Sequence, residues 1–168
     1  MRKQVGHLTL ETLGDRDIVM TRVFDAPRKL VFEAMTKPEI LVRWFSGAPG
    51  WTLDVCEFEA RVGGKYRYVW KNVDGRTMGM GGVCLEIEPP NKIVCTEKFD
   101  ESWYPGEAVN SMVLTEKGGK TTLTLTVRYD SKEARDAVLQ TPMASGVALA
   151  YDNLADLLAA ADAPGAKS

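Results

Sequence analysis

Residues 24–45 read FDAPRKLVFEAMTKPEILVRWF, and this stretch decides the fold. It predicts two short helices separated by prolines. Asp25 is suited to cap the first helix, because its carboxylate can accept a hydrogen bond from a free backbone N–H of the first turn. Thr36 is suited to cap the second helix in the same way. The second helix ends in an aromatic pair, Trp44 and Phe45.

Strand patterns occupy most of the chain outside this stretch. Alternating apolar and polar residues between turn residues predict strands over residues 16–24, 51–58, 65–71, 78–87, 92–99, 109–116 and 121–129. A helical pattern then runs from Ser131 to about residue 161, and Pro142 is expected to kink or restart this helix. Residues 1–15 are interpreted as a polar lead-in, residues 16–162 as a single domain and residues 163–168 as a frayed tail.

The composition is that of a globular domain. The chain has 168 residues, a net charge of −2 and 26% charged residues. A domain of this length buries roughly 70% of its unfolded surface, which allows for a core that contains a cavity. The mixed charge gives no sign of the clustered Lys and Arg that nucleic-acid binding needs. No apolar run is long enough to span a membrane, and residues 1–17 lack the apolar core of a signal peptide.

The order of the elements predicts the architecture. A sheet with one apolar face needs a cover, and only the C-terminal helix is long and amphipathic enough to provide it. We therefore expect an α+β helix-grip fold, in which a curved antiparallel sheet of about six or seven strands wraps around the long C-terminal helix. The two short helices follow strand one and close one end. An elongated cavity between sheet and helix is the consequence.

Five segments carry a resemblance to a known family. They are RVFDAPRKLVF (22–32), the TKPE to WF segment (36–45), GGKY (63–66), GVCLEIEPP (82–90) and the helix over 131–158 with its DNL motif. Over residues 16–160 the chain resembles the START-like, or SRPBCC, superfamily. Within it, the chain is similar to the group called activator of heat-shock-protein-90 ATPase homologue-like. The resemblance implies the helix-grip fold with its cavity, and the group's name implies co-chaperone work.

The resemblance also implies that inward-facing aromatic and methionine side chains line the cavity. Tyr66, Tyr68 and Trp70 alternate along one strand and share a face, and buried Tyr and Trp need partners for their hydroxyl and indole groups. Ordinary core packing is the alternative for each residue taken alone. The candidate ligand-binding residues are Trp44, Phe45, Tyr66, Tyr68, Trp70, Met80, Phe99, Trp103, Met112, Met143, Val147 and Tyr151.

Two carboxylates, Asp54 and Glu97, are candidate polar groups of the cavity. Glu97 faces inward if Phe99 does, because side chains two apart in a strand share a face. An inward Glu97 would have a raised pKa or a cationic partner. The alternative for both residues is an outward, solvated carboxylate.

Signatures of catalysis and of metal binding are scarce. The one histidine, His7, lies in the lead-in, so no histidine-based catalytic set can be built within the domain. The glycine-rich residues 79–82 lack the Lys-Ser/Thr that follows in a phosphate-binding loop. Cys56, Cys84 and Cys95 form no CxxC pair, so neither a metal site nor a disulfide framework is expected. No cofactor is expected either, and reduced thiols indicate the cytoplasm.

Three functions stay open at this point. The leading hypothesis is binding of a small, mainly apolar molecule in the cavity. The second is a cavity enzyme of cyclase, hydrolase or dehydratase type, in which Glu97, Asp54 or a tyrosine acts as acid or base. The third is a protein-interaction or co-chaperone module with a chaperone partner, which an exposed apolar patch around residues 103–105 would favour. A homodimer is also open, because the sequence gives no register for an interface.

Overall fold

An antiparallel sheet forms the body of the protein. The computed structural model describes residues 1–45, 49–101, 104 and 106–162. The strands are β1 (Arg2–Val5), β2 (Leu8–Leu13), β3 (Asp17–Phe24), β4 (Trp51–Phe58), β5 (Lys65–Asn72), β6 (Thr77–Glu88), β7 (Lys92–Phe99), β8 (Ala108–Lys117) and β9 (Lys120–Arg128). The helices are α1 (Arg28–Thr36), α2 (Pro38–Trp44), α3 (Lys132–Leu139) and α4 (Met143–Asp162). The spatial order of the strands is β1-β2-β3-β9-β8-β7-β6-β5-β4.

The strand count differs from the prediction. Nine strands lie within the described residues, rather than six or seven, because β1 and β2 form a hairpin inside residues 1–15. Leu8 and Leu10 of β2 are buried, whereas β1 is an exposed edge strand. Leu8 and Leu10 form a single alternating pair in a mainly polar segment, which is too short an alternation to predict a strand. The division into lead-in, domain and tail stays a prediction, and the tail lies outside the described residues.

Helices α1 and α2 carry the chain from the interior of the sheet to its far edge. β3 pairs with β9 inside the sheet, whereas β4 is the last strand. Both predicted caps were wrong, because Pro27 rather than Asp25 precedes α1, and Lys37 rather than Thr36 precedes α2. Thr36 instead ends α1, where its hydroxyl donates to the carbonyl oxygen of Phe32 at 2.9 Å. The helix pair was predicted correctly, but its capping was not.

The C-terminal helical segment is divided at the predicted proline. α3 ends at Leu139, and α4 begins one residue after Pro142. Ser131 caps α3, because its hydroxyl oxygen accepts a hydrogen bond from the backbone N–H of Ala134 at 3.1 Å. The buried side chains of α4 include Ala148, Ala150, Tyr151, Leu154 and Leu158. In the part of the chain that the structure describes, no helix combines the length and the apolar character needed to cross a membrane.

Close backbone contacts shape the sheet at β5, β6 and β7. A Cβ atom on Gly82 would collide with the carbonyl oxygen of Thr96 in β7. A Cβ atom on Gly81 would lie 2.7 Å from the carbonyl oxygen of Tyr66 in β5. The register of β6 against β7 also shifts beyond Cys84, which marks a bulge and bends the strand. The sheet therefore curves at this point, and its inner face carries the candidate site.

Candidate functional site

Three aromatic side chains of β5 form one wall of the interior. Tyr66, Tyr68 and Trp70 are all buried, which confirms the predicted alternation. The hydroxyl of Tyr66 donates to the carbonyl oxygen of Thr96, and the indole N–H of Trp70 donates to the carbonyl oxygen of Phe45 at 2.8 Å. The protein itself therefore provides partners for two of the three polar groups on this wall.

Glu97 is the polar centre of the inner face. Its Oε1 atom accepts a hydrogen bond from Nδ2 of Asn110 at 3.1 Å, and its Oε2 atom accepts one from the hydroxyl of Tyr104 at 3.3 Å. Among the described residues, no Lys or Arg forms an ion pair with it. Protein atoms surround the carboxyl group, and the residue as a whole is only partly accessible to solvent. Glu97 is therefore a largely enclosed carboxyl group on the inner side of the sheet.

The strand register brings Glu97 and Asn110 together. Glu97 of β7 lies opposite Ala108 of β8, and Cys95 lies opposite Asn110. Glu97 and Asn110 are thus diagonal neighbours on one face, within reach of each other's side chains. The small methyl group of Ala108 leaves room for both. The Oδ1 atom of Asn110 is buried and has no hydrogen-bond partner within the described part of the chain.

Burial shifts the pKa values of this region in one direction. It raises the pKa of the Glu97 carboxyl, and the hydrogen bonds from Asn110 and Tyr104 offset only part of that increase. Burial, followed by the nearby Glu97 charge, also raises the pKa values of Tyr66, Tyr104 and Tyr129. All four groups therefore resist ionisation in the absence of a nearby cation.

The other predicted residues lie around the same interior, with two exceptions. Four are buried, namely Trp44, Met80, Met112 and Tyr151. Four are partly exposed and pack against the core, namely Phe45, Phe99, Met143 and Val147. Asp54 is exposed on β4, which agrees with the solvated alternative, and Trp103 lies outside the described residues. Tyr104 is only 4% exposed and therefore does not belong to an exposed patch.

Glu97, Tyr104, Asn110 and Tyr129 form a polar cluster, and sequence reasoning missed part of it. Asn110 was not predicted, although it lies two residues before Met112 and alternation would have placed it on the same face. Tyr129 lies two residues after Val127, so the same rule would have placed it on the face of Val127. Tyr104 lies in a loop, where no alternation could have placed it. The rings of Tyr104 and Tyr129 pack edge to face with centroids 5.1 Å apart. Alternation along the strands could therefore have predicted Asn110 and Tyr129, but not Tyr104.

The chemistry of the cluster is that of hydrogen bonding and proton transfer. Across residues 1–45, 49–101, 104 and 106–162, no three His, Cys, Asp or Glu side chains converge on a point that could hold a metal ion. The cluster instead combines a carboxyl group of raised pKa, an amide with one free oxygen and two phenols. Such a set can orient the polar end of a bound molecule or exchange a proton with it.

Replacing Glu97 by glutamine is expected to make the protein more stable at neutral pH. Because the folded-state pKa of Glu97 is raised, the unfolded chain releases this proton at a lower pH than the folded protein does. The contribution of Glu97 to stability is therefore greatest below the ordinary pKa of about 4.3 and falls as the pH rises through the folded value. The glutamine amide does not ionise, and its oxygen can still accept the hydrogen bond from Nδ2 of Asn110. Urea unfolding at several pH values between about 4 and 8 measures the difference.

The exposed Glu88 provides the matched control. Glu88→Gln should leave the pH dependence of unfolding as in the unmodified protein. If Glu97→Gln and the unmodified protein lose stability in parallel over the same pH range, Glu97 does not have the raised pKa inferred here.

Comparisons with known proteins agree with the fold. The profile of a family described as Activator of Hsp90 ATPase homolog 1-like protein matches residues 25–159. No curated protein matches the chain significantly. A solved structure of a protein from Rhodobacter sphaeroides is 33% identical, with a TM-score of 0.87 over 92% of this chain and 99% of that chain.

More distant solved structures share the architecture. A protein from Chromobacterium violaceum is 27% identical, with a TM-score of 0.74 over 85% of this chain and 96% of that chain. The AHSA1 protein from Silicibacter pomeroyi is 20% identical, with a TM-score of 0.68 over 85% of this chain and 97% of that chain, and it shows the fold alone. Because the family profile covers most of the sequence, the chain belongs to the family of activator of Hsp90 ATPase homolog 1-like proteins.

Proposed function

We propose that the protein binds a small, mainly apolar molecule between the inner face of the sheet and α4. The observation that carries the proposal is the pair formed by Glu97 and Asn110, which lies within an otherwise aromatic and aliphatic interior. One oxygen of this pair is buried without a partner among the described residues. Buried polar atoms in proteins generally have a partner, and a ligand would provide it here. Ligand sites typically combine many apolar contacts with a few polar groups that fix orientation.

Partly accessible side chains support an entry to this interior. Phe45, Phe99, Met143 and Val147 all pack against the core, yet each keeps accessible surface. The ring of Phe45 lies edge-on to the rings of the β5 wall, with centroid distances of 5.4 and 5.2 Å to Tyr68 and Trp70. Phe45 therefore covers the aromatic wall at the point where α2 ends. We propose it as the side chain that an entering ligand contacts first.

A thermal-shift screen with native mass spectrometry tests the proposal. A ligand that binds only the folded protein stabilises it, by about 2.7 kcal/mol at a hundredfold excess over its Kd. We expect apolar molecules with one polar group to raise the melting temperature, and a copurified molecule to appear as an added mass. A broad screen without any shift, together with a protein that carries no added mass, would contradict the proposal.

A pair of valine variants separates interior binding from surface adsorption. Val147 on α4 is half-buried and packs against the core, whereas Val113 on β8 is exposed. Val147→Phe should fill space in the interior and reduce ligand affinity, while Val113→Phe should leave it unchanged. Equal effects of the two variants would place the ligand elsewhere.

Acid–base catalysis in the same space is the second candidate function. Glu97 favours it, because burial raises the pKa of its carboxyl group and a group that retains its proton can act as a general acid. Incubation of the protein with any molecule found in the screen, followed by mass spectrometry, tests for turnover. Product that forms with the unmodified protein and not with Glu97→Gln supports catalysis. An unchanged molecule leaves binding as the function.

We propose a cytoplasmic location, because Cys56, Cys84 and Cys95 are free thiols in this structure and free thiols persist in reducing compartments. Cell fractionation with an antibody against the protein tests this location. A homodimer and a chaperone partner stay predictions, which light scattering and a chaperone ATPase assay test.

A further inference from the structure

The interior offers more hydrogen-bond acceptors than donors to a ligand. Nδ2 of Asn110 donates to Glu97, so Oδ1 of the same amide points away from the carboxylate and has no partner among the described residues. The reverse orientation of the amide would place its oxygen against the carboxylate. In its ionised form, which a nearby cation favours, the Glu97 carboxylate has about four lone-pair positions, of which Asn110 and Tyr104 fill two. The free positions on Glu97 and Asn110 therefore call for donors.

The surroundings of these acceptors also suit a positive charge. Glu97 has no cationic partner within the described residues, and its electrostatic influence reaches Tyr66, Tyr104 and Tyr129 from three different segments. The rings of Tyr104 and Tyr129 pack edge to face beside it. Aromatic faces attract ammonium groups, and this attraction is strongest where water is excluded. A carboxylate among tyrosine rings is thus a site for a cation rather than for an anion.

Three head groups can be compared at this position. A carboxylate head would bring a second negative charge beside Glu97 and offer no donor. A hydroxyl head has one donor, which satisfies one acceptor and leaves the other free. A primary ammonium has three donors and the opposite charge, so it can bond to Glu97 and to Oδ1 of Asn110 at once.

We infer that the ligand carries a primary amine, held as an ammonium ion by the carboxylate of Glu97 and the free amide oxygen of Asn110, with its apolar part along the aromatic wall of β5. The inference rests on the proposed function and specifies the polar end of the ligand. The ammonium ion would supply the cationic partner that the buried carboxyl group lacks among the residues that the structure describes.

Matched probes test the head group. Two apolar tails, phenylbutyl and decyl, are each used as the amine, the alcohol and the carboxylate, with isothermal titration calorimetry on the full chain at neutral pH. We expect each amine to bind at least about tenfold more tightly than the alcohol of the same tail, as a charge-assisted hydrogen bond predicts. Glu97→Gln should remove this preference, whereas Glu88→Gln, at an exposed position, should keep it.

The outcomes separate this inference from the proposed function. Alcohols or carboxylates that bind as tightly as the amines overturn the amine head group and leave binding itself intact. If none of the six probes binds, the inference is overturned as well, while the broad screen decides the proposed function separately. The head-group preference of the unmodified protein decides the inference even if Glu97→Gln does not fold. An equal loss of affinity for amine and alcohol in a folded Glu97→Gln also counts against it.

Discussion

Replacing Trp44 by alanine is expected to lower the free energy of unfolding by about 4 kcal/mol. Trp44 is 2% exposed at the end of α2, and its indole N–H donates to the carbonyl oxygen of Ala34 in α1 at 3.0 Å. Its ring also packs against Phe45 and Tyr151, with centroid distances of 5.2 and 6.2 Å. One side chain therefore joins α1, α2 and α4, and its loss leaves a large cavity and an unpaired carbonyl group.

Urea unfolding followed by far-ultraviolet circular dichroism measures this effect without depending on tryptophan fluorescence. Trp51 provides the matched control, because it is only partly buried on the edge strand β4, where its ring contacts the guanidinium of Arg76. Trp51→Ala should cost less than about 2 kcal/mol, since less apolar surface is lost. Equal losses for the two variants would show that the helix pair does not depend on Trp44.

Replacing Asp152 by alanine is expected to lower the free energy of unfolding by about 2 kcal/mol. Arg22 lies on the inner side of β3 with its side chain 7% exposed, and its guanidinium donates to Oδ1 of Asp152 in α4 at 2.6 Å. Removal of the carboxylate would leave a buried guanidinium without this ion pair, 5.3 Å from the centre of the Phe24 ring. The expected cost is below that of a fully buried pair, because the side chain of Asp152 is 47% exposed and water can replace it in part.

A second variant distinguishes the loss of the ion pair from damage to the helix. Arg22→Met combined with Asp152→Ala should recover most of the stability, because an apolar pair can replace a buried ion pair at little cost. Asp156, one turn further along α4, is exposed, and Asp156→Ala should change the stability by less than about 0.5 kcal/mol. A double variant less stable than Asp152→Ala alone would contradict the proposed role of the buried charge. Chemical denaturation of the unmodified protein, the two single variants and the double variant measures these differences in the free energy of unfolding.

Local pattern was enough to predict most elements of this fold. Alternation predicted β5 with its buried Tyr66, Tyr68 and Trp70, and Pro142 correctly marked the division between α3 and α4. These features depend on neighbours in the sequence, through the pleat of a strand or the steric demands of proline. β1 and β2 were missed because they depend on pairing, β1 with β2 and β2 with β3, and carry only a short alternating pattern of their own.

The candidate site was predictable only in part. Alternation with Phe99 placed Glu97 conditionally on the inner face, and the structure agrees. No local signal indicated that Asn110 would become its partner, because the two residues lie on different strands separated by a loop. Asp54 was also a candidate for the inner face, but it is exposed. The local sequence does not distinguish an inward-facing acidic residue of a strand from an outward-facing one.

The sequence by itself determined the order of the elements, the faces of its strongly alternating strands and the family to which the resemblance pointed. The tertiary structure decided which polar groups meet. The pairing of β7 with β8 in one register makes Glu97 and Asn110 diagonal neighbours, and a shift by one residue would turn Asn110 to the other face. That register is set by burial across the whole sheet, including the bulge in β6, which is a property of many distant contacts at once. The free oxygen of Asn110 is therefore a consequence of the assembled fold.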